Sequence, residues 1–280
     1  MLKVALSHDV DRINKHYQYF TYFLKNLLKA DFKKVKYHFS SFFKEEPYWN
    51  FPEIIKIEES FNVKSTFFIL DESIPFNLFD KNNWQLSIGR YHLFNEKLVE
   101  IIKWLDKNGW EIGVHGSYNS FNNKELLNKE KKRIESIVEH EIIGTRQHYL
   151  NWNQNTWNIQ KEIGFKYDST WGHTTTFGTK EDKITPFKPF NDYFLEIPLI
   201  VMDTPFISSE NKWDRFLELL DLIEQNDGIL VVNWHQRVFR EEEFPEYRTF
   251  YIKIIEECKK RNAHFATLGE FYNKIISNQL

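Results

Sequence analysis

The chain has 280 residues, of which 41% are hydrophobic and 28% charged, and its 37 Lys and Arg against 40 Asp and Glu give a net charge of −3. Such values are typical of an ordinary globular protein, and the slight acidic excess argues against binding nucleic acid through its phosphates. No stretch approaches the roughly 18 consecutive apolar residues of a membrane-spanning helix. We therefore expect neither a nucleic-acid partner nor a membrane span.

The cysteine content and the first residues of the chain bear on its compartment. The single cysteine, Cys258, cannot form an internal disulfide. Met1-Leu2-Lys3 leads directly into the first apolar segment, without the pattern of a secretory signal. We expect a cytoplasmic protein, and the sequence leaves its oligomeric state open.

Short apolar runs alternate with amphipathic stretches, which is the pattern of βα units around a parallel sheet. The apolar runs predict strands over residues 4–6, 65–70, 110–115, 142–146, 165–168, 194–201, 229–235 and 264–267. Helical spacing predicts helices over residues 51–59, 94–107, 123–139, 153–163, 213–225 and 245–261, with one more at the end of the chain. No repeat or low-complexity linker interrupts this order, so the sequence predicts one α/β barrel-like domain over residues 1–280.

Residues 12–50 interrupt the alternation after the first strand. This insertion contains seven Lys, one Arg and a dense set of aromatic residues, and it is far longer than a usual βα connection of about 2–6 residues. It is either a lid or binding element, or a helical hairpin packed against the side of the barrel. We predict that it forms helices beside the carboxyl face of the barrel and contributes to substrate binding.

Polar and ionisable residues follow the ends of five predicted strands. The carboxyl ends of parallel barrel strands converge on one face, where active sites are built, so these residues predict a single site. They are His8, Asp9 and Asp11; His115 and Asn119; Arg146 and His148; Asp168 and Trp171; and His235. Asp9 and Asp11 point to the same side if the strand continues through them, and two such carboxylates can divide metal binding and proton transfer.

The same clusters resemble the five ordered motifs of polysaccharide deacetylases, the NodB-homology proteins of carbohydrate esterase family 4. The matching segments are Ser7-His8-Asp9-Val10-Asp11, His115-Gly116-Ser117-Tyr118-Asn119-Ser120, Arg146-Gln147-His148-Tyr149, Tyr167-Asp168-Ser169-Thr170-Trp171 and Asn233-Trp234-His235. The resemblance covers nearly the whole chain. It is closest to a divergent branch found in O-antigen and capsule gene clusters, whose first two motifs read Thr-His-Asp-Val-Asp and His-Gly-Ser-Tyr-Asn-Ser.

This resemblance implies an irregular (β/α) barrel with a divalent metal, usually zinc, on its carboxyl face. It makes Asp9 the catalytic base and Asp11 a metal ligand, although the two roles could be exchanged. His115 matches the first histidine ligand of the family, and Asn119 stands where the family has the second. His148, which replaces the usual proline of the third motif, could substitute as a ligand.

The remaining motifs imply the other catalytic groups and the sugar contacts. Arg146 matches the residue that orients the base, His235 matches the general acid, and Asp168 matches the carboxylate that pairs with this acid. A backbone N–H near Tyr149 would stabilise the oxyanion. The aromatic residues implied to contact the sugar are Tyr118, Tyr149, Trp171 and Trp234.

The activity that the resemblance implies is metal-assisted hydrolysis of an acetyl group, N-acetyl in the first place, from a sugar in surface-polysaccharide metabolism. Two alternatives stay open on the sequence. The first is a degenerate barrel that binds a saccharide without hydrolysing it, since Asn119 and Val10 depart from the family pattern. The second is another metal-dependent hydrolase of the same fold that acts on a different amide or ester.

Overall fold

Strands and helices alternate along the chain as predicted. The computed structural model describes residues 1–43 and 46–278, with the backbone alone at residues 81 and 82. The strands are β1 (Lys3–Val10), β2 (Ser65–Leu70), β3 (Glu111–Gly116), β4 (Gly144–Gln147), β5 (Tyr167–Asp168), β6 (Leu195–Glu196), β7 (Val201–Met202), β8 (Ile229–Asn233) and β9 (His264–Phe265). The helices are α1 (Gln18–Leu28), α2 (Phe32–Ser41), α3 (Phe51–Ser60), α4 (Lys81–Ser87), α5 (Glu96–Lys107), α6 (Lys124–Val138), α7 (Thr156–Ile163), α8 (Asp203–Ser208), α9 (Lys212–Gln225), α10 (Tyr247–Lys260) and α11 (Leu268–Ile276).

The strands form one parallel sheet in the order β6-β5-β4-β3-β2-β1-β8-β7, and β9 pairs with the amino end of β1. Helices surround the curled sheet, so the architecture is a half-barrel of the (β/α) type and confirms the predicted fold class. All eight residues of β1 are buried, as expected for a central strand of a parallel sheet whose two faces are both covered. The carboxyl ends of β1, β3, β4 and β8 therefore lie at one face.

Side-chain caps and left-handed residues set several helix boundaries. The side chains of Asn95 and Asn123 accept backbone N–H bonds at the first turns of α5 and α6, which supplies acceptors for otherwise unpaired donors. Thr267 and Glu270 form a reciprocal capping box at the start of α11. Gly164 ends α7 at a φ of +98°, a conformation that glycine adopts without steric cost. The predicted end of this helix is confirmed.

The predicted strand over residues 194–201 is wrong in one respect, because the structure divides it into β6 and β7. These two short strands occupy opposite edges of the sheet. Pro198 lies between them, and proline has no N–H to donate to a strand ladder. The chain crosses here from one edge to the other, with Leu199 N–H bonded to Trp171 O and Ile200 N–H to Val231 O.

The insertion after β1 is helical, as predicted, and consists mainly of the antiparallel pair α1 and α2, which we call the hairpin (residues 18–41). Tyr17, Gln18, Thr21 and Tyr22 line the cavity that holds the carboxyl end of β1. The hairpin therefore lies beside the carboxyl face, which agrees with its predicted position. Among the described residues, no helix has both the length and the apolarity needed to cross a bilayer.

Candidate active site

A cavity of about 570 Å³ opens at the carboxyl face of the sheet. Asp9 lies near the end of β1 and Asp11 directly after it, and both line this cavity, as their spacing predicts. His115 at the end of β3, His148 after β4 and His235 after β8 line it too. A second cavity, of about 970 Å³, is lined by none of the predicted site residues.

Asp11, His115 and His148 form a cluster in which one ligand atom from each lies within 4.8 Å of the others. Asp11 Oδ1 is 3.3 Å from His115 Nε2 and 3.7 Å from His148 Nε2. Ligands about 2.1 Å from a tetrahedral zinc ion are about 3.4 Å apart. The spacing of these three atoms therefore suits one zinc-sized cation.

The hydrogen bonds of the cluster also fit a metal. His115 Nδ1 lies 2.9 Å from the carbonyl oxygen of Arg146, so this nitrogen donates, and Nε2, which faces Asp11, would offer its lone pair to a bound cation. Burial lowers the pKa of His148 to about 3, which keeps its imidazole in the neutral form that binds metals. Asp11 Oδ1 is buried and has no hydrogen-bond partner among the described residues. A divalent cation would satisfy this oxygen, so the residues present fit the group.

Asp9 is held as an anion next to this cluster. Its Oδ1 accepts a hydrogen bond of 3.0 Å from Arg146 Nη1, and its Oδ2 accepts one of 2.7 Å from Asn233 Nδ2. Burial alone would raise the pKa of Asp9, but the positive charges of His115 and Arg146 outweigh it and lower that pKa below its usual value. Arg146 contacts Asp9 as the resemblance implies.

Arg146 is itself fixed by several contacts. It is fully buried, its remaining guanidinium nitrogens donate to Ser169 O and Ser169 Oγ, and Nη1 also reaches Ser7 Oγ. The guanidinium carbon lies 4.4 Å from the ring centroid of Phe68, a cation–π distance. These contacts hold Arg146 in one orientation. Because Arg146 donates to Asp9, they also fix the orientation of the Asp9 carboxylate.

The expected pairing of His235 with Asp168 is wrong: the carboxylate beside His235 is Asp203. His235 Nδ1 lies 2.9 Å from Asp203 Oδ2, and the His235 backbone N–H donates to the same oxygen over 2.7 Å. Burial alone would lower the pKa of His235, but Asp203 and Asp11 outweigh it and raise that pKa to about 9. His235 is therefore protonated near neutral pH.

Asp168 does not lie beside His235, because it belongs to β5, which pairs with β6 and β4 and not with β8. Its partner on β6 is Glu196, and Thr170 Oγ1 donates to Asp168 Oδ1 over 2.6 Å. Burial raises the pKa of Asp168, and burial together with Asp168 raises that of Glu196. Burial therefore favours the protonated form of both carboxyl groups, and the charge that acts on Asp168 is that of Arg146 and not of His235.

Two further site residues were not found from the sequence. Arg237 Nη1 donates to Asp11 Oδ2 over 2.5 Å and lines the cavity. Asp203 directly follows β7, so it carries the same signal as the other clusters, a polar residue after a strand. The sequence hides this signal, because its apolar run over residues 194–201 predicts one continuous strand.

Several predicted residues lie away from the cluster. Asn119 is exposed in the loop after β3 and does not line the cavity that holds Asp11 and His115, so its expected role as a ligand is wrong and His148 takes the place beside His115. Trp234 is fully buried against Phe206 and Tyr251, so it cannot contact substrate.

The other aromatic residues differ in access. Trp171 is buried in a cluster with Trp152 and Trp157 and does not line the cavity, contrary to its expected contact with the sugar. Tyr149 lines the cavity with half of its surface exposed and has a left-handed φ of +59°. Tyr118 is exposed and packs edge-on against Tyr149. Sugar contact by Tyr118 and Tyr149 stays a prediction.

Comparison with known proteins gives a family and a fold. The family model described as "WbmS-like: Polysaccharide deacetylase" matches residues 90–240. Curated protein sequences provide no significant match. A solved structure from Mycobacterium smegmatis, assigned to the polysaccharide deacetylases, is similar over 100% of this chain and 91% of its own, with a TM-score of 0.61 and 16% identity.

Two other structures have nearly the same similarity. A protein from Pseudomonas aeruginosa PAO1 assigned to the polysaccharide deacetylases has a TM-score of 0.60 at 14% identity, with 97% of this chain and 90% of its own covered. Puue allantoinase has a TM-score of 0.60 at 15% identity, with 100% and 92% covered. At these low identities the solved structures show only that the fold is shared. The match to the family model over residues 90–240 is what shows the family.

Proposed function

Because the chain belongs to the WbmS-like polysaccharide deacetylase family, we propose that it is a metal-dependent hydrolase that removes an N-acetyl group from a sugar in surface-polysaccharide metabolism. The observation that carries this proposal is the meeting of three groups in one cavity: the metal-binding cluster, the ionised Asp9 and the protonated His235. One group for each task of amide hydrolysis is therefore present. The reaction belongs in the cytoplasm, in keeping with a single cysteine that forms no disulfide.

Asp11, His115 and His148 are the proposed ligands of the cation. A bound divalent ion would polarise the acetyl carbonyl and lower the pKa of a bound water. Imidazole and carboxylate ligands suit zinc, iron, cobalt or nickel, and we propose zinc, the usual ion of the family. The hydrogen bond from His115 Nδ1 to the Arg146 carbonyl fixes the ring that presents Nε2. Such outer contacts orient metal ligands and tune their basicity.

Asp9 is the proposed general base. Its ionised carboxylate would take a proton from the attacking water while Arg146 and Asn233 hold it in place. The backbone N–H groups near Tyr149, where the chain turns through left-handed conformations at Tyr149 and Leu150, would donate to the developing oxyanion.

His235 is the proposed general acid. Its Nδ1 is bonded to Asp203, so Nε2, which lies 3.5 Å from Asp11 Oδ2, is free to face the substrate. From there it would give a proton to the amine as the carbon–nitrogen bond breaks. The products are acetate and a free amino sugar.

The test is the release of acetate from a panel of N-acetylated and O-acetylated saccharides by the metal-loaded protein. We expect release from at least one N-acetylated sugar, and loss of it in Asp9→Asn but not in Asp227→Asn, a matched change at an exposed aspartate. Saccharide binding without acetate release in the metal-loaded protein would contradict hydrolysis and support the degenerate, saccharide-binding barrel.

A further inference from the structure

The outer surface of the hairpin is apolar, whereas the outer surface of a helix that packs on a protein core is normally polar. On α1, Phe20, Leu24, Leu27 and Leu28 are exposed at a spacing of i, i+4, i+7 and i+8, which places them on one face. On α2 and the turn after it, the large exposed residues are Phe32, Phe39, Phe42 and Phe43. A surface helix of a globular protein normally turns this stripe inward.

The inner surface of the hairpin is polar instead. Its buried residues are Gln18, His38 and Ser41. The neighbouring Lys15 donates to Glu243 Oε2 over 2.7 Å and lies 2.9 Å from His38 Nδ1. The fully buried residues of the hairpin are therefore polar, and the exposed apolar residues named above take no part in packing against the barrel.

The hairpin is also basic. It carries five lysines against a single aspartate, Asp31, whereas the rest of the chain is net acidic. Lys25, Lys29, Lys33 and Lys36 are exposed. Charges act locally, since the Debye length is about 8 Å at physiological salt. The local surface therefore attracts anions although the whole chain has a net charge of −3.

A second apolar segment borders the same cavity. Of the 21 large hydrophobic side chains that are exposed among the described residues, eight lie in residues 20–43 and five in residues 76–88, so these two segments carry most of them. Arg12 joins the two, with its guanidinium over the Tyr17 ring and bonded to Gln85 O. Tyr17 and Gln85 both line the cavity. The two segments that carry the exposed apolar residues therefore both contribute to the lining of the cavity.

We propose that the hairpin and residues 76–88 together form a docking surface for a bilayer that contains anionic lipids. Exposed Phe, Leu and Trp side chains enter the boundary between headgroups and acyl chains, and lysines beside them attract anionic headgroups. A second copy of this chain is disfavoured, because a two-fold interface sets the same patch against itself and would oppose lysine to lysine.

Docking in this way would turn the mouth of the cavity toward the bilayer. The sugar that reaches Asp9 and His235 would then be carried on a membrane lipid and not on a free polymer. This substrate class rests on the proposed deacetylase function, whereas the docking surface itself does not.

The experiment is co-sedimentation of the full chain with vesicles of phosphatidylcholine alone or mixed equally with phosphatidylglycerol. We expect binding to the mixed vesicles only. The triple change Lys29→Glu, Lys33→Glu and Lys36→Glu should weaken the partition coefficient by at least about tenfold, given the contribution of each lysine near an anionic surface. Leu28→Ser with Phe32→Ser, two of the most exposed apolar residues of the hairpin, should weaken it to a similar degree.

Matched controls change other exposed residues. Lys56→Glu, Lys107→Glu and Lys132→Glu make the same charge change on α3, α5 and α6, and Leu222→Ser with Ile276→Ser removes the same number of exposed apolar side chains. These variants should bind as the wild type does. Equal binding to both vesicle types, or equal loss in the controls, would overturn the proposal.

A protein interface would give a different pattern. A wild-type dimer that the Leu28→Ser and Phe32→Ser changes dissociate, without vesicle binding, would make the surface a contact between chains and overturn bilayer docking. Acetate release is measured in parallel from a water-soluble N-acetylated saccharide and from a lipid-linked one carried in the mixed vesicles. Vesicle binding without acetate release would contradict only the deacetylase function, and acetate release without vesicle binding only the docking surface.

Discussion

His8 and Asp9 are neighbours on β1, both are buried, and they belong to two different networks. Successive side chains of a strand point to opposite faces, so His8 points outward to the helices and Asp9 inward to the cavity. His8 Nε2 lies 2.9 Å from Glu58 Oε1 of α3, and its Nδ1 lies 2.6 Å from Trp234 O. Tyr251 of α10 donates to the same Glu58 oxygen. This outer network ties β1 to the surrounding helices.

The two networks differ in whether their polar atoms have partners. Glu58 accepts hydrogen bonds at both oxygens, with Ser65 and Trp110 at Oε2. In the inner network Asp11 Oδ1 and His148 Nδ1 are buried without partners among the described residues. Buried polar groups are normally satisfied, so an unsatisfied cluster needs a ligand to explain it. A buried histidine beside a carboxylate thus does not by itself mark a metal site. The inner cluster differs because two imidazoles lie beside a carboxylate oxygen that accepts no hydrogen bond.

The largest effect is expected from a change in the inner network, which should lower activity rather than stability. His235→Ala should lower turnover by roughly 10²–10⁴-fold, since it removes a general acid, while the protein stays folded and keeps its metal content. His140→Ala, at an exposed histidine, is the control. Steady-state kinetics on a verified saccharide substrate provide the measurement, and wild-type turnover in His235→Ala would refute the assignment.

The outer network should respond in stability instead. Glu58→Ala leaves four buried groups without their acceptor, the imidazole of His8 among them. Breaking a buried network of this kind costs about 3–5 kcal/mol. Urea unfolding should register this loss, whereas metal stoichiometry should not change. A folded Glu58→Ala protein that has lost its metal would erase the distinction between the two networks.

The pH dependence tests the pair of His235 and Asp203. The pKa of His235 is raised to about 9, so its contribution to stability is fully present below its usual 6.5 and is lost as the pH rises through about 9. Asp203→Asn removes the charge that does most to offset the lowering of the His235 pKa by burial. The alkaline limb of the pH–rate profile should then move to lower pH, and an unmoved limb would mean that another group sets it.

The smallest expected effect concerns Asn119. Because Asn119 is exposed and does not line the cavity of the cluster, Asn119→His should leave zinc affinity unchanged, as measured by competition with a chromophoric chelator. His148→Ala should weaken it markedly under the same conditions. Tighter binding by Asn119→His would instead return residue 119 to the ligand set that its position in the motif implies.

The sequence predicted much of this site because strand ends converge. Asp9, Asp11, His115, Arg146 and His235 all follow from the order of the strands. Contacts between side chains at those ends depend on the paths of the loops, which periodicity does not describe. The loop after β3 turns Asn119 to solvent although the spacing of four from His115 would align the two on a helix.

Two further errors have simple physical causes. Side chains alternate between the two faces of a strand, and this alternation continues past the end of β8. It places Asn233 and His235 on the cavity side and Trp234 on the helix side, so the sequence alone predicts that Trp234 is buried. The sequence does not predict the position of Asp203, because Pro198 divides one apparent strand into two that lie at opposite edges of the sheet. Only the folded sheet brings Asp203 beside His235.

The most direct test of the account is a crystal structure of the zinc-loaded protein with anomalous data collected at the zinc edge. We predict one peak in the cavity, about 2.0–2.2 Å from Asp11 Oδ1, His115 Nε2 and a nitrogen of His148. A structure in which the cavity holds no zinc, or holds one bound without Asp11 and His115, would contradict the claim that this cluster is the metal centre of a deacetylase.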